Sequence, residues 1–363
     1  MGGHRTTSQR LVLTAVLWLA SGALAHAQGP LTVGSASASP GEAASGWIAV
    51  PDGTDPGTRI PVSVVHGATP GPVLALVAGT HAYEYPPILA LPRVLERLEP
   101  KRMRGSVILV HIANPPTFWG RRIYYGPDGK NLNRVYPGRA DGTQSERMAF
   151  AITREVIDKA THLADMHCGD GNESLRPYSY WMISGNEKVD AASREMALAF
   201  GLDHIVVDRE RPSDPTKSAY TANTAILRGK PAVTTEMGGL GLVDELAIAA
   251  NVRGALSLVA HLGIQEAPSA RVENPMWIVR SEVLRAPLTG LWRPVVDPKD
   301  SVATGALIGR ITDPFGKVLA EVRAPFAGEM LYVVATPPVE QGEPLGFVGQ
   351  VVEGGPEGPK AGH

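Results

Sequence analysis

The sequence predicts an α/β fold, a sheet with helices on both faces, followed by a smaller all-β unit. Three observations predict it. Short continuous apolar runs such as "PVLALVAG" (72–79) and "SVILVHIAN" (106–114) read as strands buried on both faces. They alternate with segments of helical period. Near residue 268 the helical period stops, and short strand-like runs separated by Gly/Pro turns take over.

Each element follows from local chemistry. Residues 28 to 60 are small, polar and Gly/Pro-rich, and read as a lead-in with one strand. After the strand 72–79 comes "PPILALPRVLERL", with Pro86 and Pro87 suited to a first helical turn. Thr143-x-x-Glu146 forms a capping-box pattern ahead of "SERMAFAITREVIDKA". "THLADMH" (161–167) reads as a strand and "NEKVDAASREMALAF" as a helix. "PAVTTEMGG" (231–239) is a strand, and "LVDELAIAANVRGALSLVAHLG" a long helix. The later region holds two related halves. Ala286-Pro287-x-x-Gly290 matches Ala324-Pro325-x-x-Gly328, and Val302-x-x-Gly305 matches Val339-x-x-Gly342. Such a repeat of strand pairs suggests a small barrel or sandwich.

The chain has 363 residues, 44% hydrophobic and 19% charged, with a formal net charge of −2. That balance suits a globular protein and lacks the basic surplus of a nucleic-acid binder. Arg5 and Arg10 precede the apolar run Leu11 to Ala25, and Ala25-His26-Ala27 fits a small-x-small cleavage site. The run contains Ser21 and Gly22 and is short for a span of roughly 20 apolar residues. We therefore expect residues 1–27 to be an export signal, with a mature start at Gln28 and a periplasmic or secreted product. The expected units are a catalytic domain over 28–267, a β-rich domain over 268–353 and a disordered tail over 354–363. Cys168 is the single cysteine, so no internal disulfide forms.

Four features fall at the ends of the expected strands, where open α/β sheets bind ligands. They are His81-x-x-Glu84, the turn-rich "RRIYYGPDGKNLNRVYPG" (121–138), Asp165-Met166-His167, and Glu236. Two histidines and a carboxylate make a catalytic zinc set with a fourth position for water. A second carboxylate then takes and returns the proton, and Glu236 fits that part. An arginine can stabilise a developing oxyanion, and another with an asparagine can fork a substrate carboxylate. Taken singly, each histidine would read as a structural residue. His111, His162, His204 and His261 have no partner pattern and are read that way. Cys168 is read as a small buried residue. Lys317, in the hairpin-like "DPFGK", lacks the flanking residues of a carrier lysine.

The same residues resemble the succinylglutamate desuccinylase/aspartoacylase family, within the zinc carboxypeptidase-like superfamily. The matching stretches are Gly79-Thr80-His81-x-x-Glu84, Asn114-Pro115, Arg122, Asp128-Gly129, Leu132-Asn133-Arg134-Val135-Tyr136-Pro137-Gly138, Asp165-x-His167 and Thr235-Glu236-x-Gly238. They span roughly residues 60 to 265 in the family's order. The resemblance implies a carboxypeptidase-like mixed sheet, with the repeated segment as a small barrel-sandwich domain. It implies His81, Glu84 and His167 as ligands of one zinc, Glu236 as the general base and acid, and Arg122, with the adjacent Arg121 as the alternative, as the carbonyl-polarising arginine. Asn133 and Arg134 become the substrate-carboxylate clamp. Asn131 stands where the family usually has aspartate, and Ala82 where glycine often follows the first histidine. The implied reaction is deacylation of an N-acyl amino acid, with no nucleic-acid partner. The alternatives are a carboxypeptidase on short or cell-wall peptides, and a binding protein with an inactive site. Homo-oligomerisation is compatible with all three.

Overall fold

The computed structural model describes residues 1–3, 28–352, 354 and 356. Most of the expected export signal and of the expected tail lies outside the described residues.

Among the described residues, nineteen strands and six α-helices form the fold. The first strands are β1 (Leu31–Val33), β2 (Ala36–Ala38), β3 (Glu42–Val50), β4 (Thr58–His66) and β5 (Thr69–Ala78). Then come α1 (Tyr85–Leu95), β6 (Arg104–Val110), α2 (Pro115–Gly120), α3 (Gln144–Ile152) and β7 (His162–His167). They are followed by β8 (Glu173–Leu175), β9 (Tyr178–Met182), α4 (Glu187–Phe200), β10 (His204–Asp208), α5 (Thr221–Ile226), β11 (Ala232–Glu236) and α6 (Glu245–His261). The C-terminal strands are β12 (Met276–Arg285), β13 (Gly290–Pro294), β14 (Ser301–Val302), β15 (Leu307–Thr312), β16 (Val318–Arg323), β17 (Gly328–Val334), β18 (Pro338–Val339) and β19 (Pro344–Val352).

The main sheet is mixed and runs β14-β17-β19-β12-β10-β9-β11-β7-β5-β6-β4-β3, with β8 paired to β17. Strands alternate their side chains between faces. Leu74, Leu76 and Ala78 of β5 join the core under α1, α4 and α6. Ala75 and Val77 join the opposite core with Met148 and Ile152 of α3 and Ile226 of α5. Each such Leu, Ile or Val contributes about 1.5–3 kcal/mol by leaving water. This two-sided burial explains why the central strands read as unbroken apolar runs.

Helix starts follow their caps. Pro86 and Pro87 lie in the first turn of α1, and the Thr143/Glu146 capping box opens α3. The Asp244 carboxylate accepts from the Leu246 and Ala247 amides at the start of α6.

Several expectations change. Residues 28 to 60 hold β1, β2, β3 and the start of β4, where one strand was expected. β6 stops at Val110, and Asn114 instead caps α2 by accepting from the Thr117 amide. Strands β9 and β10 were not foreseen. The C-terminal strands are continuous with the main sheet, since β12 pairs in parallel with β10 and carries the sheet into β19 and β17. A second sheet, β16-β15-β13-β18, closes over it. Trp292, Ile308 and Ile311 from the second sheet share one core with Met330, Leu331 and Val348 from the first. The internal repeat has a physical counterpart here. Val302 pairs with Gly328, and Val339 pairs with Gly290, so each half lends its short strand to the other.

Candidate metal centre and active site

Strands β5, β7 and β11 are parallel neighbours, with Ala78 beside Met166 and His167 beside Glu236. His81, His167 and Glu236 therefore emerge together past the carboxyl ends of three adjacent strands. Gly79 makes the turn out of β5 at a φ of 71°, and a Cβ there would lie 2.9 Å from Ile112 Cα. The turn delivers His81 and sets Glu84 at the N-terminus of α1.

His81, Glu84 and His167 are buried, and one donor atom from each lies within 4.8 Å of the others. Glu84 Oε1 is 2.9 Å from His81 Nδ1 and 2.8 Å from His167 Nδ1. Burial pushes the Glu84 carboxyl up, but the imidazoles of His167 and His81 overcome it and hold the carboxyl down at about 2. Burial depresses the His167 imidazole, yet Glu84 and Asp165 together raise it well above its usual value. The outer nitrogens also face oxygens. His81 Nε2 lies 3.3 Å from Asn131 Oδ1, and His167 Nε2 lies 3.1 Å from Asp165 Oδ1. Apart from this contact, the buried Asp165 oxygens have no hydrogen-bond partner among the described residues. An Nε2–H on each outer oxygen would leave both Nδ1 atoms bare and turned towards Glu84. That is the tautomer a metal-binding histidine needs, with its second nitrogen oriented by an acceptor. The three donors fit a zinc-type ion, and Asn131 supplies one of the orienting oxygens.

Glu236 ends β11 and lines a cavity of about 110 Å³ with His81, Asn133, Arg134, Asp165 and His167. Burial drives its carboxyl well up; His167 opposes this, while Glu84, Glu173 and Asp165 add to it. Asn133 is buried and braced. Its Oδ1 accepts from the Thr221 amide and hydroxyl at 3.0 and 3.2 Å, and its Nδ2 is 3.4 Å from His167 Nε2. Arg134 lies over the Tyr220 ring at 4.7 Å, and its Nη1 donates to the Asn133 carbonyl.

Arg122 is not brought to the cavity. Arg121 ends α2 in the left-handed region at φ 51°, and both arginines are exposed. The second arginine that does line the cavity is Arg211, together with Tyr180, Met182, Tyr220 and Thr234. No motif marked Arg211; its Asp208-x-x-Arg211 spacing was the one available signal. Asp170 was also missed. It is buried, with Oδ1 3.6 Å from His81 Nδ1. His111 and His204 have structural partners, Ser63 at 2.8 Å and Asp203 at 3.0 Å. Cys168 is buried, its thiol pushed well up by desolvation, which suits a packing residue.

The catalytic-domain profile of the succinylglutamate desuccinylase/aspartoacylase family matches residues 70–262. The chain is 29% identical over 301 residues to the N-alpha-acetyl-L-2,4-diaminobutyric acid deacetylase of Halomonas elongata, covering 81% of this chain and 86% of that protein. The fold is similar to the product-bound ectoine utilization protein EutE (DoeB) of Ruegeria pomeroyi, with a TM-score of 0.75 and 26% identity. The similarity covers 85% of this chain and 95% of that one. A succinylglutamate desuccinylase/aspartoacylase structure from Rhodobacter sphaeroides gives the same TM-score, 0.75, at 24% identity, with coverage of 85% and 95%. The chain belongs to the succinylglutamate desuccinylase/aspartoacylase family.

Proposed function

We propose that the chain is an exported, zinc-dependent amide hydrolase that removes the acyl group from N-acyl amino acids. The observation that carries this reading is the pair of imidazoles that both turn Nδ1 to Glu84 and Nε2 to a second oxygen. Zinc held by His81, Glu84 and His167 would supply Lewis acidity and a water of lowered pKa. Glu236, a partly buried carboxyl held above its ordinary range, takes the proton from the attacking water and returns it to the departing amine. Arg134, which has no carboxylate partner among the described residues, receives the substrate carboxylate, with Asn133 bracing its loop. On this reading Arg122 polarises the carbonyl after its exposed loop closes over bound substrate.

The cavity of about 110 Å³ favours a small acyl amino acid over a peptide. It falls below the roughly 300–1,000 Å³ of sites for larger ligands. The deacetylase relative acts on an acetylated amino acid, in keeping with this class.

The test joins metal content to turnover. Residues 28–363 are purified, zinc is measured by elemental analysis, and N-acyl amino acids are screened against short peptides. We expect about one zinc per chain. Glu236→Gln should keep the zinc and lose roughly 10²–10⁴-fold in kcat. Arg134→Gln should instead raise KM. No zinc taken up on addition would break the ligand assignment, and an undiminished Glu236→Gln would remove the base. Cleavage confined to peptides would move the reading to a carboxypeptidase.

A further inference from the structure

A second cavity lies behind Glu236, on the other face of the main sheet. Successive residues of a strand point to opposite faces. Thr234 and Glu236 line the cavity beside the metal centre, whereas Val233 and Met237 pack against the core under α1, α4 and α6. Met237 is also one wall of a separate cavity of about 470 Å³. Pro177, Phe200, Leu202 and Ala250 supply the rest of its apolar surface. That volume lies within the roughly 300–1,000 Å³ of small-molecule sites.

One cation stands at this apolar wall. Arg253 of α6 lines the cavity, is exposed, and makes no salt bridge or side-chain hydrogen bond among the described residues. The acid in the lining, Asp203, is already engaged. Its Oδ1 lies 3.0 Å from His204 Nδ1 and 3.6 Å from Arg176 Nη2. The cavity therefore offers an apolar seat and one unanswered guanidinium, the complement of an aliphatic carboxylate.

Backbone bonds tie these walls to the reacting residues. Met237 directly follows Glu236, and its amide donates to the His167 carbonyl at 3.1 Å. Its own carbonyl accepts from Asn251 Nδ2 at 3.2 Å, and Asn251 follows Ala250 on α6. On the neighbouring strand, Pro177 precedes Tyr178, the antiparallel partner of Glu236. A molecule seated between Met237, Pro177 and α6 thus touches the chain beside Glu236 on two strands.

We infer that this cavity is a second ligand site, which takes an aliphatic carboxylate with its charged end on Arg253 and its chain against Met237, and whose occupancy steadies the backbone at Glu236. The binding stands on the cavity alone, and its consequence for turnover rests on the deacylase reading. Deacylation itself releases a carboxylate, so the ligand's source is either that product or an acid supplied from elsewhere.

The zinc-loaded chain is titrated calorimetrically with acetate, butyrate, hexanoate and octanoate, and with hexanol and hexylamine. Affinity should rise roughly two- to fourfold per methylene from acetate to hexanoate, as each CH₂ leaves water along a half-open wall. Hexanol and hexylamine should bind at least about threefold more weakly than hexanoate. Arg253→Gln should weaken hexanoate roughly 3- to 10-fold and leave hexanol unchanged. Ala250→Leu, which narrows the cavity, should weaken hexanoate and hexanol alike. Both substitutions lie across the sheet from the metal centre, so their losses locate the ligand away from zinc. Hydrogen exchange reads the coupling without turnover: saturating hexanoate should slow exchange of the Met237 amide about fivefold or more. A maximum at hexanoate or octanoate identifies an acid supplied from elsewhere. A maximum at acetate would mark a reaction product and overturn the apolar seat. No saturable hexanoate binding, equal binding of hexanol, or unchanged hexanoate affinity in both variants would overturn the site, and unaltered Met237 exchange would overturn the coupling. Arg253-dependent binding that protects Met237, with no N-acyl amino acid hydrolysed, would sustain the inference while defeating the deacylase reading.

Discussion

Replacing Asp165 with alanine separates metal binding from folding. Asp165 is 1% exposed, and its Oδ1 lies 3.1 Å from His167 Nε2. Two neutral proton arrangements of His167 bear on metal binding. With Nδ1 protonated, the ring donates to Glu84 at 2.8 Å, and Nε2 can accept from Asn133 Nδ2 at 3.4 Å. That arrangement needs no Asp165. With Nδ1 bare, as a metal requires, Nε2 carries the proton, and Asp165 is the acceptor beside it. Removing the carboxylate therefore penalises the metal-holding arrangement. A hydrogen bond to a charged group is worth about 1.5–3 kcal/mol, or roughly 10- to 150-fold in affinity. Loss of an oxygen that orients a metal-binding histidine costs about 10- to 100-fold, which agrees. The assay is zinc competition against a chromogenic chelator, beside urea unfolding of the chelator-treated protein. We expect a 10- to 100-fold weaker zinc site and a smaller change in metal-free stability, on the order of 1 kcal/mol. Zinc affinity within about twofold of wild type would refute the proton assignment.

Two further predictions concern other parts of the chain. Burial raises Glu173 from 4.5 to about 7, against a hydrogen bond from Tyr124. A raised carboxyl favours the folded state fully below about pH 4.5, and that advantage is lost as pH rises through about 7. Glu173→Gln should therefore flatten the fall in unfolding free energy, read by urea titration, between pH 5 and pH 8 in chelator-treated protein, by up to about 3 kcal/mol before solvent screening. An identical fall in both proteins would refute this. For export, N-terminal sequencing of protein recovered outside the cytoplasm should begin at Gln28; an intact Met1 there would reject cleavage.

What was legible in the sequence follows from where each signal is written. His81-x-x-Glu84, Asp165-x-His167 and Glu236 lie within or beside central strands buried on two faces, so the apolar run and the motif point to the same place. The edge strand β3 and its neighbour β4 carry a weaker signal. β3 and β4 contain Ser45, Gly46, Pro61 and Ser63, and only one face of β3 is consistently buried, which explains why the segment read as a lead-in. Pro61 faces Trp47 in the β3–β4 ladder and stands one residue before the β4–β6 ladder begins at Val62. Arg211 was invisible for a different reason. It sits in a loop after a strand whose own signal, "HIVVD", is short, and it meets Arg134 only through the Tyr220 ring. Arg122 carries the opposite lesson: its place in a motif says nothing of where a surface loop rests.

The sheet also explains why the cavity lies beside Glu236 and not above the middle of the parallel strands. β11 pairs in parallel with β7 but antiparallel with β9. On the β7 side, neighbouring strands end together and put His167 and Glu236 at one level. On the β9 side the chain runs back, so Tyr180 and Met182 face the cavity from within the strand, where turns would otherwise stand. β10, parallel to β9, then delivers Asp208 and Arg211 at the far end of that wall. The reversal gives the cavity two chemically different ends, histidines and acids at one and a guanidinium between aromatic rings at the other. On the deacylase reading, a substrate whose amide meets Glu236 extends its amino-acid half along this wall, lined by Tyr180, Met182 and Arg211. Selectivity for that half therefore falls to the residues of β9, β10 and the loops that follow β10, and these are the positions at which relatives acting on different amino acids are expected to differ.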